Sequence, residues 1–143
     1  MDLEALLRSK GIQPTAQRLA VASYVLSTDE HPSAEEVFAR VKPTLPILSR
    51  ATVYNTLNVF VRMGLLRELI LEPAGAAANL KGPRTVFDPN VERHHHFIDE
   101  ETGRIHDVPW SAVKVKNVEG LPDFDVRDYQ VVMRGKRKGR SRR

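Results

Sequence analysis

The chain of 143 residues contains five histidines, and three of them are consecutive, in the stretch Arg93-His94-His95-His96-Phe97. Neutral imidazole offers a nitrogen lone pair to a divalent first-row metal, and carboxylates supply the oxygen donors that usually accompany it. Cysteine is absent, which excludes disulfides and thiolate ligation, so any metal must be held by nitrogen and oxygen. Successive side chains of a strand point to opposite faces. If 94–98 is a strand, His94 and His96 share one face and His95 takes the other. "HHFID" and "RIHDVP" flank the turn "EETG" as a hairpin would. A register that sets Asp107 beside His94 and His96 also sets His106 on the face of His95. Asp88 lies just before a hinge-like "PNVE", and His31 lies at a turn between helices; either can swing in to complete the first cluster. The full set is then His31, Asp88, His94, His96 and Asp107, and three nitrogens with two carboxylates suit Fe²⁺, Mn²⁺ or Zn²⁺. Taken singly, each residue reads more simply as a cap or a solvated side chain. The alternation along one strand is what argues for a site.

Such a cluster needs rigid elements to hold it. Three helical segments are expected first. "PTAQRLAVASYVLST" opens with Pro14 and places Leu19, Ala22, Val25 and Leu26 on one face. "SAEEVFARV" carries Ser33 and Glu36 in capping-box register, with Val37, Phe38 and Val41 inward. "SRATVYNTLNVFVRMG" has Ser49 as cap, Gly64 as stop and Val53, Leu57, Phe60 and Val61 as its apolar stripe. Two strand-like runs follow, "LLRELIL" (65–71) and "RTVFD" (84–88), separated by the loop-like "EPAGAAANLKGP", which reads as mobile. Three helices and then a hairpin form the pattern of a winged helix. After the histidine hairpin, a short helix is expected around 111–119 and a strand around "FDVRDYQVVM".

The third helix suits a DNA reader, because its free face is small, polar and cationic, with no acid on it. Ser49, Thr52 and the backbone N–H groups at its start can bind phosphate. Arg50 and Asn55 can donate to purine edges, and Tyr54 can lie against a thymine methyl. Arg18 is grouped with them as a DNA contact. An ordinary amphipathic surface helix would show the same pattern; the three-helix-then-hairpin order favours the reader.

Charge is uneven. Residues 1–92 hold ten basic and ten acidic side chains, whereas seven basic residues crowd into "RGKRKGRSRR" at 134–143. That tail supplies the net +4 and is read as a disordered, solvated segment able to touch phosphates. Apolar runs are far below membrane-spanning length, and "MDLEALLRSK" carries acids where a signal peptide carries bases. A cytoplasmic protein without membrane association is expected.

The chain up to about Gly135 resembles the ferric uptake regulator (Fur) family. The matching stretches are "GIQPTAQRLAV", "HPSAEEVF", "SRATVYNTLNVFVRMGLL", "VFD", "HHHFIDEETGRIHDV" and "DFDV…VVMRG". The resemblance implies an α+β protein with a winged helix-turn-helix domain at 1–88, a hinge at 89–92, a small α/β dimerisation and metal-sensing domain at 93–135, and the basic tail at 136–143. It further implies a homodimer on a double-stranded DNA operator, with a regulatory metal held by His31, Asp88, His94, His96 and Asp107. Two features depart from the family pattern. Both Cys-x-x-Cys pairs are missing, so a structural zinc held by four cysteines is not expected. Arg93 takes a position that would be a ligand in the family's second site.

Within the family, Asp107 as the last ligand and Asn55 in the reader helix resemble peroxide sensors of the PerR type, in which bound iron leads to oxidation of a ligand histidine. The His triplet is also similar to the haem-linked motif of Irr-like iron regulators, where His95 and His106 could serve haem or a second metal. A plain iron or manganese uptake repressor is a third reading. A metallohydrolase is the alternative from another class, but it lacks an obvious base beyond the ligands. The expected metal is Fe²⁺ or Mn²⁺, with Zn²⁺ able to fill the site in vitro. The mechanism is self-modification, so no enzyme is expected.

Overall fold

The computed structural model describes residues 2–71 and 83–139. The expected mobile loop therefore lies outside the described residues except for Pro83, as do the last four residues of the basic tail. Two compact units are present among the described residues, one up to Val91 and one from Glu92.

The first unit contains α1 (Leu3–Ser9), α2 (Ala16–Val25), α3 (Ala34–Val41) and α4 (Arg50–Arg62), then β1 (Arg67–Leu71) and β2 (Arg84–Asp88). There are four helices where three were expected. The additional α1 is capped by Asp2, whose side chain accepts from the Ala5 N–H, and it buries Leu7 completely. Its signal was the Leu3, Leu6, Leu7 spacing of a helix face. In α2 the cap is Thr15, so Pro14 precedes the cap and is not the first helical residue. Ser33 and Glu36 form the expected capping box of α3. Helix α4 starts on the Ser49 cap and ends at Gly64, which takes φ +83°. Leu65 N–H reaches the Phe60 carbonyl and Gly64 N–H the Val61 carbonyl, the paired bonds that close a helix through a left-handed glycine.

Val21, Val25, Val37, Leu48, Val53, Leu57 and Phe60 are wholly buried in one apolar core. Strands β1 and β2 pair antiparallel with Arg67 opposite Asp88, forming the hairpin wing after the helices. Strand β2 is tied back to the helices by an antiparallel bridge between Ser33 and Val86 and by Phe87 N–H donating to the Pro32 carbonyl.

The second unit is a sheet in the order β4-β3-β5, made of β3 (His94–Asp99), β4 (Ile105–Pro109) and β5 (Val132–Gly135). The central β3 pairs antiparallel with β4 and parallel with β5. Gly103 turns the β3–β4 hairpin at φ +79°, while the Asp99 carboxylate accepts the Glu101 and Thr102 N–H groups.

Two expectations fail here. The segment 111–119 forms no α-helix; only a single 3-10 turn, Trp110–Ala112, is present. Val113, Val115 and Val118 are β-branched and lose rotamer freedom in a helix, and Asn117 takes φ +63°, a left-handed conformation that ends any helix. The final strand is also four residues, not ten. With His96 opposite Val132, residues before Gln130 would run past the first residue of β3 and find no ladder partner.

Candidate metal centre and DNA-reading helix

Each unit assembles its own set of metal-ligand side chains. In the first, the Ser33–Val86 register, continued by two residues, sets His31 opposite Asp88. His31 Nε2 lies 3.2 Å from Asp88 Oδ2, and both side chains are buried. The other Asp88 oxygen accepts the Asn90 N–H. His31 Nδ1 faces the Asp29 carbonyl at 3.1 Å. A carbonyl only accepts, so Nδ1 carries the proton and Nε2 presents its lone pair in the neutral ring. His31 adopts φ +53° before Pro32. A non-glycine residue in this region is uncommon and clusters at functional sites.

In the second unit, the register sets His96 directly opposite Asp107. Alternation then brings His94 to the same face. His94 Nε2 and His96 Nε2 are 3.1 Å apart, and Asp107 Oδ1 lies 3.4 and 3.5 Å from them. His94 Nδ1 faces the Glu92 carbonyl, and His96 Nδ1 faces Gln130 Oε1 at 2.9 Å. Both Nδ1 atoms therefore donate, and both Nε2 lone pairs converge with a carboxylate. Nitrogen lone pairs and an anionic oxygen repel unless a cation lies among them. The donor set fits a divalent metal with nitrogen and oxygen preference, and a carbonyl or amide oxygen behind each imidazole is the usual support of a metal-bound histidine.

His95 and His106 do share the opposite face, yet the structure does not bring them together. His95 is opposite Val108, fully buried, and stacked on Trp110 with ring centroids 4.5 Å apart. His106 is opposite Phe97, its ring 6.3 Å away. Neither is placed as half of an axial pair for haem. Arg93 does not ligate either; its guanidinium lies 3.9 Å over the Trp110 ring.

On α4, Ser49 is committed to capping: it accepts the Thr52 N–H at 3.1 Å and donates to Thr52 Oγ1 at 3.0 Å. Arg18 donates to the Gln13 carbonyl. The outer face of α4 carries no acid of its own, as expected, but tertiary packing supplies one. Glu35 of α3 accepts from Arg50 Nε at 3.0 and 3.1 Å and from the Tyr54 hydroxyl at 3.4 Å. Arg50 also lies over Phe38, 4.6 Å from the ring centre. Asn55 is exposed. Glu35, Gln130 and Trp110 escaped the sequence reading because each acts across elements with no local motif. The one available hint was Glu35 in the first turn of a helix packed beside the reader.

The fold and its side chains define a winged helix-turn-helix protein that carries clusters of imidazole and carboxylate groups able to hold a metal. The model of the ferric uptake regulator family matches residues 9–134. The chain belongs to that family. It is 32% identical over 133 residues to the peroxide-responsive repressor PerR of Staphylococcus aureus, covering 92% of this chain and 84% of that protein. Among solved structures, the Campylobacter jejuni peroxide stress regulator is similar at 27% identity and TM-score 0.64, covering 96% of this chain and 97% of that one. The Vibrio cholerae ferric uptake regulator shares the fold, with TM-score 0.69 at 21% identity over 94% of this chain and 99% of that one.

Proposed function

We propose that this chain is a homodimeric, metal-dependent transcriptional repressor that binds operator DNA through α4 and responds to peroxide. The observation that carries the metal reading is the convergence of His94 Nε2, His96 Nε2 and Asp107 Oδ1. The peroxide reading is supported by the similarity to the staphylococcal repressor along nearly the full chain.

His31 and Asp88 offer two donors, and His94, His96 and Asp107 offer three. Neither number fills the coordination shell of Fe²⁺ or Mn²⁺, whereas five donors approach it. Occupancy of these donors would favour the form of the protein in which α4 of each protomer fits the operator, by the difference in metal affinity between that form and the others. Bound Fe²⁺ would supply the one-electron chemistry by which hydrogen peroxide oxidises a neighbouring imidazole, one oxygen inserting at a ring C–H and the other leaving as water, and bound Mn²⁺ would not. His31 and His94 are the rings proposed to take that oxygen. An oxidised ring is a poor donor, so the ligand set weakens and DNA is released. The protein is consumed as sensor and does not turn over.

The test is mass spectrometry with a DNA-binding assay. Iron-loaded protein exposed to low peroxide should gain one oxygen on the peptide bearing His31 or His94 and lose operator binding. Manganese-loaded protein should do neither. Peroxide-insensitive binding in the iron form would remove the peroxide reading and leave a metal-responsive repressor.

A further inference from the structure

The middle histidine and Gln130 have no part in the ligand set, yet three hydrogen bonds lock them to it. His96 N–H donates to the Val131 carbonyl at 3.0 Å. Val131 N–H donates to His95 Nδ1 at 2.9 Å. His96 Nδ1 faces Gln130 Oε1 at 2.9 Å. The segment entering β5 is thus gripped by the backbone of one histidine and the ring of the previous one, and it hands a side-chain oxygen to the first.

His95 is fully buried, and its Nε2 has no hydrogen-bond partner among the described residues. Because Nδ1 accepts, Nε2 carries the proton, and a buried donor in that position is unfavourable. A phenylalanine would stack on Trp110 without that cost. What histidine alone provides here is the acceptor for Val131.

We infer that Gln130 is a positioning residue for the metal ligand His96, and that His95 is the latch holding Gln130 in place. The inference rests on the metal-site reading above. An oxygen behind a ligating imidazole fixes which nitrogen carries the proton, fixes ring orientation and raises the basicity of the ligating nitrogen. His31 and His94 obtain that oxygen from backbone carbonyls of Asp29 and Glu92, which no side-chain replacement removes. His96 obtains it from a side chain. Gln130 is therefore a position outside the ligand set at which one substitution retunes the metal site.

The test measures Mn²⁺ affinity of the full chain by competition with a chelating dye, alongside thermal unfolding of the metal-free protein. Gln130→Leu, similar in size but without an acceptor, should weaken Mn²⁺ binding about 10-fold or more at unchanged metal-free stability. Gln130→Glu keeps an acceptor and should retain or tighten binding. His95→Phe should weaken binding as Gln130→Leu does. Full affinity in Gln130→Leu, or equal losses in the Leu and Glu variants, would overturn the inference while the metal site stands. Absence of Mn²⁺ binding by the unsubstituted protein would overturn both.

Discussion

The two units bury different things. Among the described residues, the first buries an apolar core from Leu7 to Phe87, and its buried polar side chains are His31, Thr56 and Asp88. The second, again among the described residues, buries only Ile98 and Ile105 as apolar residues, against His94, His95, His96 and Asp99. It also leaves Leu121 and Phe124 exposed, the latter at 71%. Hydrophobic burial is the main favourable term in folding, so the first unit has the means to hold itself together. The second relies on hydrogen bonds, ring stacking and a set of mutually repelling donors. On the function proposed above, a cation and a second copy of the chain would supply what this unit lacks. A sensor benefits from that division.

Breaking the first unit should have the largest effect. Phe60→Ala empties a fully buried site in α4, and such truncations cost about 3–5 kcal/mol. Urea unfolding of the full chain should show that loss, and saturating Mn²⁺ should not repair the packing defect. An unchanged urea midpoint in the metal-free variant would show that the first unit does not depend on this core.

Next comes Asp107→Ala. This carboxylate is a third exposed, so its removal leaves little cavity. Loss of a charged ligand should weaken Mn²⁺ binding about 100-fold, roughly 2.7 kcal/mol. Thermal shifts with and without Mn²⁺ read this directly. An undiminished manganese-induced shift in the variant would show that Asp107 is not a ligand.

The proposed role of α4 in reading DNA gives smaller effects. Tyr54→Ala should cost about 1–3 kcal/mol on operator DNA if the ring meets a base. Glu35→Gln should release Arg50 from its exposed ion pair, tightening binding to random DNA more than to operator. The salt dependence should steepen by about 0.9 in slope for one added phosphate contact. An unchanged slope would mean that Arg50 is not available to DNA.

The smallest effect is expected at Asp99, in the hairpin of the second unit. The N–H of Glu101, and then that of Thr102, stabilise its carboxylate and hold its pKa below the ordinary value. A folded-state pKa lower than the unfolded one contributes stability above the unfolded value, and this is lost as pH falls through the folded one. Asp99→Asn should therefore flatten the acid limb of stability below about pH 4 while changing little near neutrality. Parallel acid limbs in the two proteins would exclude this contribution.

Short-range pattern made much of the molecule legible in advance. The Ser33–Glu36 box, the Ser49 cap and the Gly64 stop depend on chemistry within a few residues, and each formed. Alternation along β3 was likewise enough to separate His94 and His96 from His95, because strand geometry has a period of two. Helix α1 was legible but overlooked. The late strand and the absent helix around 111–119 were not legible, since they depend on where β3 begins and on what lies beside it. Sequence alone determined the donor types, the absence of thiolate ligands and the placement of three imidazoles on two faces. Tertiary structure decided the His96–Asp107 register, the Glu35 carboxylate on the reader helix and the Gln130 oxygen behind His96. Those pairs lie 11 to 34 residues apart. Contacts at such separations are set by how whole elements pack, which no local residue pattern encodes.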